Sequence, residues 1–156
     1  MHANTIAVQE AAEALGLTIE PVTFPEGTKT ARDAADAIGC EVAQIVKSLI
    51  FDVDGELVVA LVSGANQLDE AKLAGAAGGA KAGRVDADRV RAATGFPIGG
   101  VPPFGHSSEL RVFVDPDLLA HGEVWAAAGT GQTVFAITPE DLVQACRGSV
   151  CDLRRG

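Results

Sequence analysis

Two apolar runs joined by Asp54-Gly55 constrain this chain more than any other feature. Ile45-Val46-Lys47-Ser48-Leu49-Ile50-Phe51 lies before the dipeptide and Leu57-Val58-Val59-Ala60-Leu61-Val62 after it. Asp-Gly is the chemistry of a tight hairpin turn, and branched apolar residues fill both arms, so the stretch predicts an antiparallel β-hairpin. The runs are nearly continuous, which predicts strands covered on both faces at the centre of a sheet. Lys47 breaks the pattern. An ammonium within such a strand either snorkels to an edge or sits in a cleft as a cation for a carboxylate or phosphate.

The flanking segments predict helices and further strands. Val8, Ala11, Ala12 and Leu15 form one helical stripe that Gly16 closes. Leu17 to Phe24 reads as a strand broken at Pro21, hence an edge or a bulge, and Pro25 to Lys29 as a turn. Thr30-x-x-Asp33 opens a helix with a small buried face of Ala31, Ala34, Ala35 and Ile38, stopped by Gly39. Asp69 caps a short helix through Leu73, and Asp86 caps another that Gly95 stops. Leu110 to Val114 is a strand ended by Asp115-Pro116. Val124 to Ala128 and Thr133 to Ile137 form a second hairpin around Gly129. Thr138-Pro139-Glu140-Asp141 is a helix start with capping threonine, N1 proline and first-turn acids. The tail from Asp152 to Gly156 reads as polar and frayed. Hairpins and helices without regular βαβ alternation predict one α/β domain of the α+β type over residues 1–156. Its sheet is mixed and largely antiparallel.

Between the helix that Gly95 stops and the strand from Leu110 lies Gly95-Phe96-Pro97-Ile98-Gly99-Gly100-Val101-Pro102-Pro103-Phe104-Gly105-His106, with four glycines and three prolines in twelve residues. Neither a helix interior nor a central strand tolerates that content. Its apolar residues argue against a disordered linker. It reads either as a loop anchored to the core that lets a ligand approach the main chain, or as a rigid crossover.

The 156 residues carry a net charge of −9, which argues against a protein that coats nucleic acid by bulk charge. No DNA partner is expected. Cys40, Cys146 and Cys151 have no metal-like spacing and predict reduced thiols. With no basic-apolar leader and no membrane-length run, the expected setting is cytoplasmic and no membrane partner is expected. His2 reads as part of a frayed terminus and His121 as a turn residue. No nucleophile elbow or zinc motif occurs. Cys40 lacks a basic neighbour in sequence and reads as a structural thiol more than as a nucleophile. What remains is Lys47, the strand end Ser63-Gly64, the loop ending in His106 and the Gly129 turn. That set suits holding a polar ligand through main-chain donors and one cation.

Thr30-Ala31-Arg32-Asp33-Ala34-Ala35, then Gln44 to Phe51, then Gly99-Gly100-Val101-Pro102-Pro103-Phe104-Gly105 resemble the YbaK/EbsC family. Leu68 to Leu73 and Thr138 to Leu142 extend the likeness over nearly the whole chain. That family comprises free-standing aminoacyl-tRNA deacylases related to the editing domain of bacterial prolyl-tRNA synthetases. The resemblance implies a sheet curled around a pocket, surrounded by helices, and hydrolysis of the ester joining a wrong amino acid to the tRNA 3′ end. It implies catalytic roles for Lys47, Gly99, Gly100 and Gly105. Substrate contacts would come from Thr30, Ser63, Gly64, Val101, Pro102, Pro103, Phe104, His106 and Gly129. Lys47 would meet the aminoacyl-adenosine end, and loop N–H groups would stabilise the oxyanion as water or a substrate group attacks.

No cofactor or metal is implied. The expected partner is a mischarged tRNA held at its 3′ end, with help from a synthetase or elongation factor. Lys29, Arg32, Lys47, Lys72 and Lys81 would supply the local basic patch. Two alternatives stand beside this reading: a non-catalytic module binding aminoacyl-tRNA or a synthetase, and a small-ester hydrolase or small-molecule binder. His106, and the absence of a histidine near Ala128-Gly129, leave the amino acid open.

Overall fold

The computed structural model describes residues 1–26, 28 and 30–156. Its centre is the hairpin of β2 (Val46–Val53) and β3 (Glu56–Ser63), paired antiparallel from Val46↔Ser63 to Val53↔Glu56. Asp54 and Gly55 take φ of 52° and 96°, the left-handed pair that a two-residue turn between twisted strands needs. β4 (Ala82–Arg84) adds antiparallel to the far end of β2, at Phe51 to Val53. On the other side β3 pairs in parallel with β5 (Arg111–Val114), and β5 with β8 (Ser149–Val150). The order is therefore β4-β2-β3-β5-β8.

A second, antiparallel sheet is ordered β1-β7-β6, from β1 (Val22–Thr23), β7 (Thr133–Ile137) and β6 (Val124–Ala127). One parallel bridge, Ile45↔Trp125, joins it to the start of β2. Between that bridge and β4 the two sheets diverge. The expected mixed, curled sheet takes this form.

Five helices cover it: α1 (Ala3–Ala14), α2 (Ala31–Ile38), α3 (Glu70–Ala76), α4 (Ala87–Thr94) and α5 (Pro139–Cys146). The capping side chains of Thr30, Asp69, Asp86 and Thr138 accept from the backbone N–H three residues on, as expected. Val46, Val59, Leu61, Val101, Phe104 and Phe135 belong to the core on one face of the larger sheet; Val58, Ala60, Val62, Leu73 and Phe113 belong to the core on the other.

Several expectations need correction. The strand expected over Leu17 to Phe24 is reduced to Val22–Thr23, because Pro21 lacks the donor a longer ladder requires. The expected turn at Pro25 to Lys29 lies partly outside the described residues, as does Lys29. His2 does not fray: its Nδ1 accepts from Asn4 N at 2.9 Å and caps α1. The tail is anchored too. Leu153 is fully buried, its carbonyl accepts from Asp69 N at 2.7 Å, and Arg155 N donates to Gln67 O at 2.8 Å. α3 runs three residues beyond Leu73.

Candidate functional site

Lys47 sits on β2 opposite Val62, half-buried, with its Nζ donating to the carbonyl of Asn66. Asn66 is itself fixed: its Nδ2 donates to Asp115 Oδ2 at 2.8 Å and to Asp117 Oδ2 at 2.7 Å. Asp115 is buried, accepts from Ser63 N at 3.0 Å and caps the turn that follows β5. Burial pulls the Lys47 ammonium below the usual lysine pKa, and the Asp115 carboxylate opposes that shift. Lys47 is thus a positioned cation. Among the described residues, two of its three N–H groups are uncommitted.

The edge of β2 beside it is uncovered. Gly64 N donates to Ile45 O at 2.7 Å, so odd-numbered residues of β2 aim their main-chain groups at β3. Those of Val46, Ser48 and Ile50 face the opposite edge. There β4 pairs only with Phe51 to Val53, and β6 packs alongside but forms its one bridge at Ile45. The Ile45↔Trp125 bridge takes up Val46, and among the described residues no strand pairs with Lys47 to Ile50 on that side.

A two-lobed cleft follows this edge. A lobe of about 290 Å³ opens toward β6 and α2, walled by Ala31, Ala34, Ile45, Trp125 and Ala126. A lobe of about 570 Å³ opens toward β4 and α3, and Arg84, Arg155, Gln67 and Glu70 border it. Lys47, Ser48, Leu49 and Val101 line both, so they form the saddle between the lobes. Among the described residues, no carboxylate, histidine or thiol lines the small lobe.

The glycine-proline loop divides between two sides of the protein. Gly99 and Val101 line the small lobe. Gly100 packs its backbone against Gly129: a Cβ built there would lie 2.8 Å from Gly129 C and O. Gly100 O accepts from Gly129 N at 3.0 Å, while Gly100 N donates to Pro97 O at 2.9 Å. Its N–H is therefore committed within the loop. Gly129 in turn is gripped by α1, since Asn4 Nδ2 donates to its carbonyl at 3.0 Å. Pro102 is buried. Phe104 packs edge-on to Phe135 with centroids 5.8 Å apart.

Pro103, Phe104, Gly105 and His106 line a separate cleft of about 850 Å³ beside Arg111 and Cys146. His106 Nε2 lies 2.7 Å from Pro102 O, and burial lowers the imidazole pKa from its ordinary value, against the pull of that hydrogen bond.

Of the other residues singled out from sequence, Thr30 borders the small lobe, but its hydroxyl is occupied capping α2 at 3.0 Å. Ser63 and Gly64 lie behind Lys47. Ser63 Oγ donates to Ala43 O at 2.7 Å, and a Cβ on Gly64 would meet Val42 O at 2.4 Å. Cys146 has its thiol pushed up to about 11 by burial, and burial also raises Cys40 and Cys151. Sequence reasoning missed Asn66, Asp115, Trp125, Arg84, Arg155 and Ser48. Asp115-Pro116 read only as a strand end, although aspartate before N1 proline also signals a cap.

Residues 25–145 match the family model for the aminoacyl-tRNA editing domain, and the chain belongs to that YbaK-like family. It is 37% identical over 115 residues to a proline–tRNA ligase of Maridesulfovibrio salexigens, covering 74% of this chain and 20% of that protein. The chain thus spans about a fifth of that ligase's length. It is 31% identical over 119 residues to the uncharacterized protein YwhH of Bacillus subtilis, covering 76% of each. The crystal structure of a candidate trans-editing enzyme for prolyl tRNA synthetase superposes with a TM-score of 0.95 at 42% identity. That match covers 100% of this chain and 99% of the other. Among the described residues, no helix is long and apolar enough to cross a membrane.

Proposed function

We propose that this chain is a trans-editing aminoacyl-tRNA deacylase in which the ester of a mischarged tRNA lies across the uncovered edge of β2. The observation that carries this reading is the saddle: a positioned ammonium at Lys47 beside unpaired main-chain groups, between one small apolar lobe and one larger lobe bordered by arginines. The aminoacyl group enters the small lobe. The terminal adenosine and its phosphate take the larger lobe, where Arg84 and Arg155 offset the chain's negative charge locally.

Water adds to the ester carbon, the bond to the ribose oxygen breaks, and that oxygen takes the proton the water loses. Among the described residues Lys47 is the one ionisable side chain that lines the small lobe, and it serves there as a cation, so a group on the substrate relays the proton. Lys47 and the outward N–H groups of β2 stabilise the charge that builds on the carbonyl oxygen. Gly99 and Val101 close the lobe opposite, held by the Gly100–Gly129 contact. The related ligase and the candidate trans-editing enzyme for prolyl tRNA synthetase support mischarged tRNA as the substrate class; delivery by a synthetase or elongation factor is part of the same proposal.

The test is single-turnover hydrolysis of a panel of mischarged proline tRNAs. Losing a charge-assisted contact costs about 1.5–3 kcal/mol, so Lys47→Met should lower the rate about ten- to a hundredfold. A folded Lys47→Met variant with wild-type turnover overturns the assignment of Lys47. Tight binding of aminoacyl-tRNA without hydrolysis would establish the non-catalytic alternative.

A further inference from the structure

Ser48 Oγ is buried and, alone among buried side-chain oxygens and nitrogens of the described residues, makes no hydrogen bond to the protein. Native proteins rarely leave such a group unpaired, because its lost hydration is not offset. Ser48 follows Lys47 on the uncovered strand and lines both lobes at the saddle. Its side chain is on the Val46 and Ile50 face of β2, the face of the core to which Val101 also belongs. The other small-lobe hydroxyls each already hold a protein partner: Thr28 Oγ1 donates to Gly131 O at 2.8 Å, and Thr30 Oγ1 accepts from Asp33 N. Among the described residues, Ser48 is thus the small-lobe hydroxyl whose donor and acceptor sites are all without a protein partner, in a space otherwise walled largely by alanines and Trp125. Rotation about χ1 moves Oγ between staggered positions without disturbing the strand.

We propose that Ser48 sets the amino-acid specificity of this cleft, by bonding the side-chain hydroxyl of a seryl or threonyl ester and disfavouring the apolar analogues. The inference rests on the deacylase reading above. The α-ammonium of the substrate is served by the outward carbonyls of β2, which leaves the serine for the side chain. A site that offers a polar group to a substrate hydroxyl rejects the analogue lacking it, because binding that analogue leaves the group unpaired. Ala31, Ala34 and Trp125 limit the space to small side chains.

The experiment measures kcat/KM for proline tRNA carrying serine, alanine, threonine or valine, with wild type, Ser48→Ala and Ser48→Thr. Threonine and valine have the same shape, so that pair isolates the hydroxyl. Wild type should prefer seryl over alanyl and threonyl over valyl by about tenfold or more. Ser48→Ala should bring both ratios close to one through loss of seryl and threonyl turnover, and Ser48→Thr should keep the seryl preference. Ser48→Ala should also melt no lower than wild type, since its hydroxyl has no bond to lose.

Equal wild-type rates within each pair overturn the specificity role while leaving the deacylase reading intact. A preference that survives Ser48→Ala, or a lower melting temperature in that variant, does the same. Hydrolysis of none of the four esters by folded wild-type protein overturns the deacylase reading, and this inference with it.

Discussion

Gly100→Ala is expected to damage turnover out of proportion to its size. The added methyl would lie 2.8 Å from Gly129 C and O and 2.9 Å from Thr130 Cα, all backbone atoms. Ordinary contact begins near 3.4 Å, so the two segments must separate by roughly 0.6 Å. α1 blocks one escape, because a Cβ on Gly129 would itself sit 2.7 Å from the Asn4 backbone. The movement therefore falls on Gly99 and Val101, which wall the small lobe, and stretches the Gly129 N–Gly100 O bond. Overpacking of this kind costs about 1–3 kcal/mol, and at about 2–4 °C per kcal/mol the melting temperature falls by about 2–12 °C. Displacing a positioning element by about an ångström costs on the order of a hundredfold in rate. Gly105→Ala is the control: it strains a residue at φ +78° against Ala11 Cβ, on the other cleft, so stability should fall with a smaller effect on turnover. The assay pairs thermal melting with single-turnover deacylation at a temperature where all variants are folded. A Gly100→Ala protein with unchanged melting and turnover would refute the argument that this contact positions the lobe.

Lys47 titrates below the ordinary lysine value, so the rate over background should fall as pH rises through that lowered pKa. Lys47→Arg, which stays charged, should lack this alkaline limb in a pH–rate profile. His106 has its folded pKa lowered, so the unfolded chain binds the extra proton and stability should fall as pH drops below about 6.5. A urea titration series should give a smaller acid loss for His106→Asn. Changing Cys40, Cys146 and Cys151 together to alanine or serine should preserve most turnover. A covalent aminoacyl-enzyme trapped on any of them would refute hydrolysis without a protein nucleophile.

The hairpin, the caps and the stops were legible because each is a local device. Asp54-Gly55 dictates its own turn, and Thr30, Asp86 and Thr138 announce helices by what they accept from three residues on. β4 and β8 are three and two residues long, too short for any periodicity, and exist because a longer strand edge was already waiting. The tail looked polar because only Leu153 is apolar between two charged flanks, yet that one side chain is fully buried beneath α3. Within the site, Lys47 stood out as a charge in an apolar strand. Its supports did not, because Asn66 and Asp115 are brought together only by the parallel pairing of β3 with β5. The loop was visible as one unit in sequence. Its separation into a lobe wall and a remote segment follows from the anchoring of Phe104 on Phe135, which no local pattern encodes.

An uncovered strand edge in a folded protein ordinarily invites association with another strand. Here the edge of β2 is recessed: β6 closes it at Ile45, β4 closes it from Phe51, and Val101 stands over the gap. A second strand cannot enter, but a small ester can. For the substrate proposed above, that geometry reconciles an acidic chain with an anionic ligand. In the proposed complex, recognition falls on main-chain dipoles whose directions β3 already fixes, and only the phosphate end needs cations, which Arg84 and Arg155 offer at the rim. It also accounts for the central position of the hairpin in the sheet. A strand held on one edge by eight paired residues is rigid enough to present its other edge as a preorganised row of donors and acceptors, which is what stabilising a developing oxyanion requires.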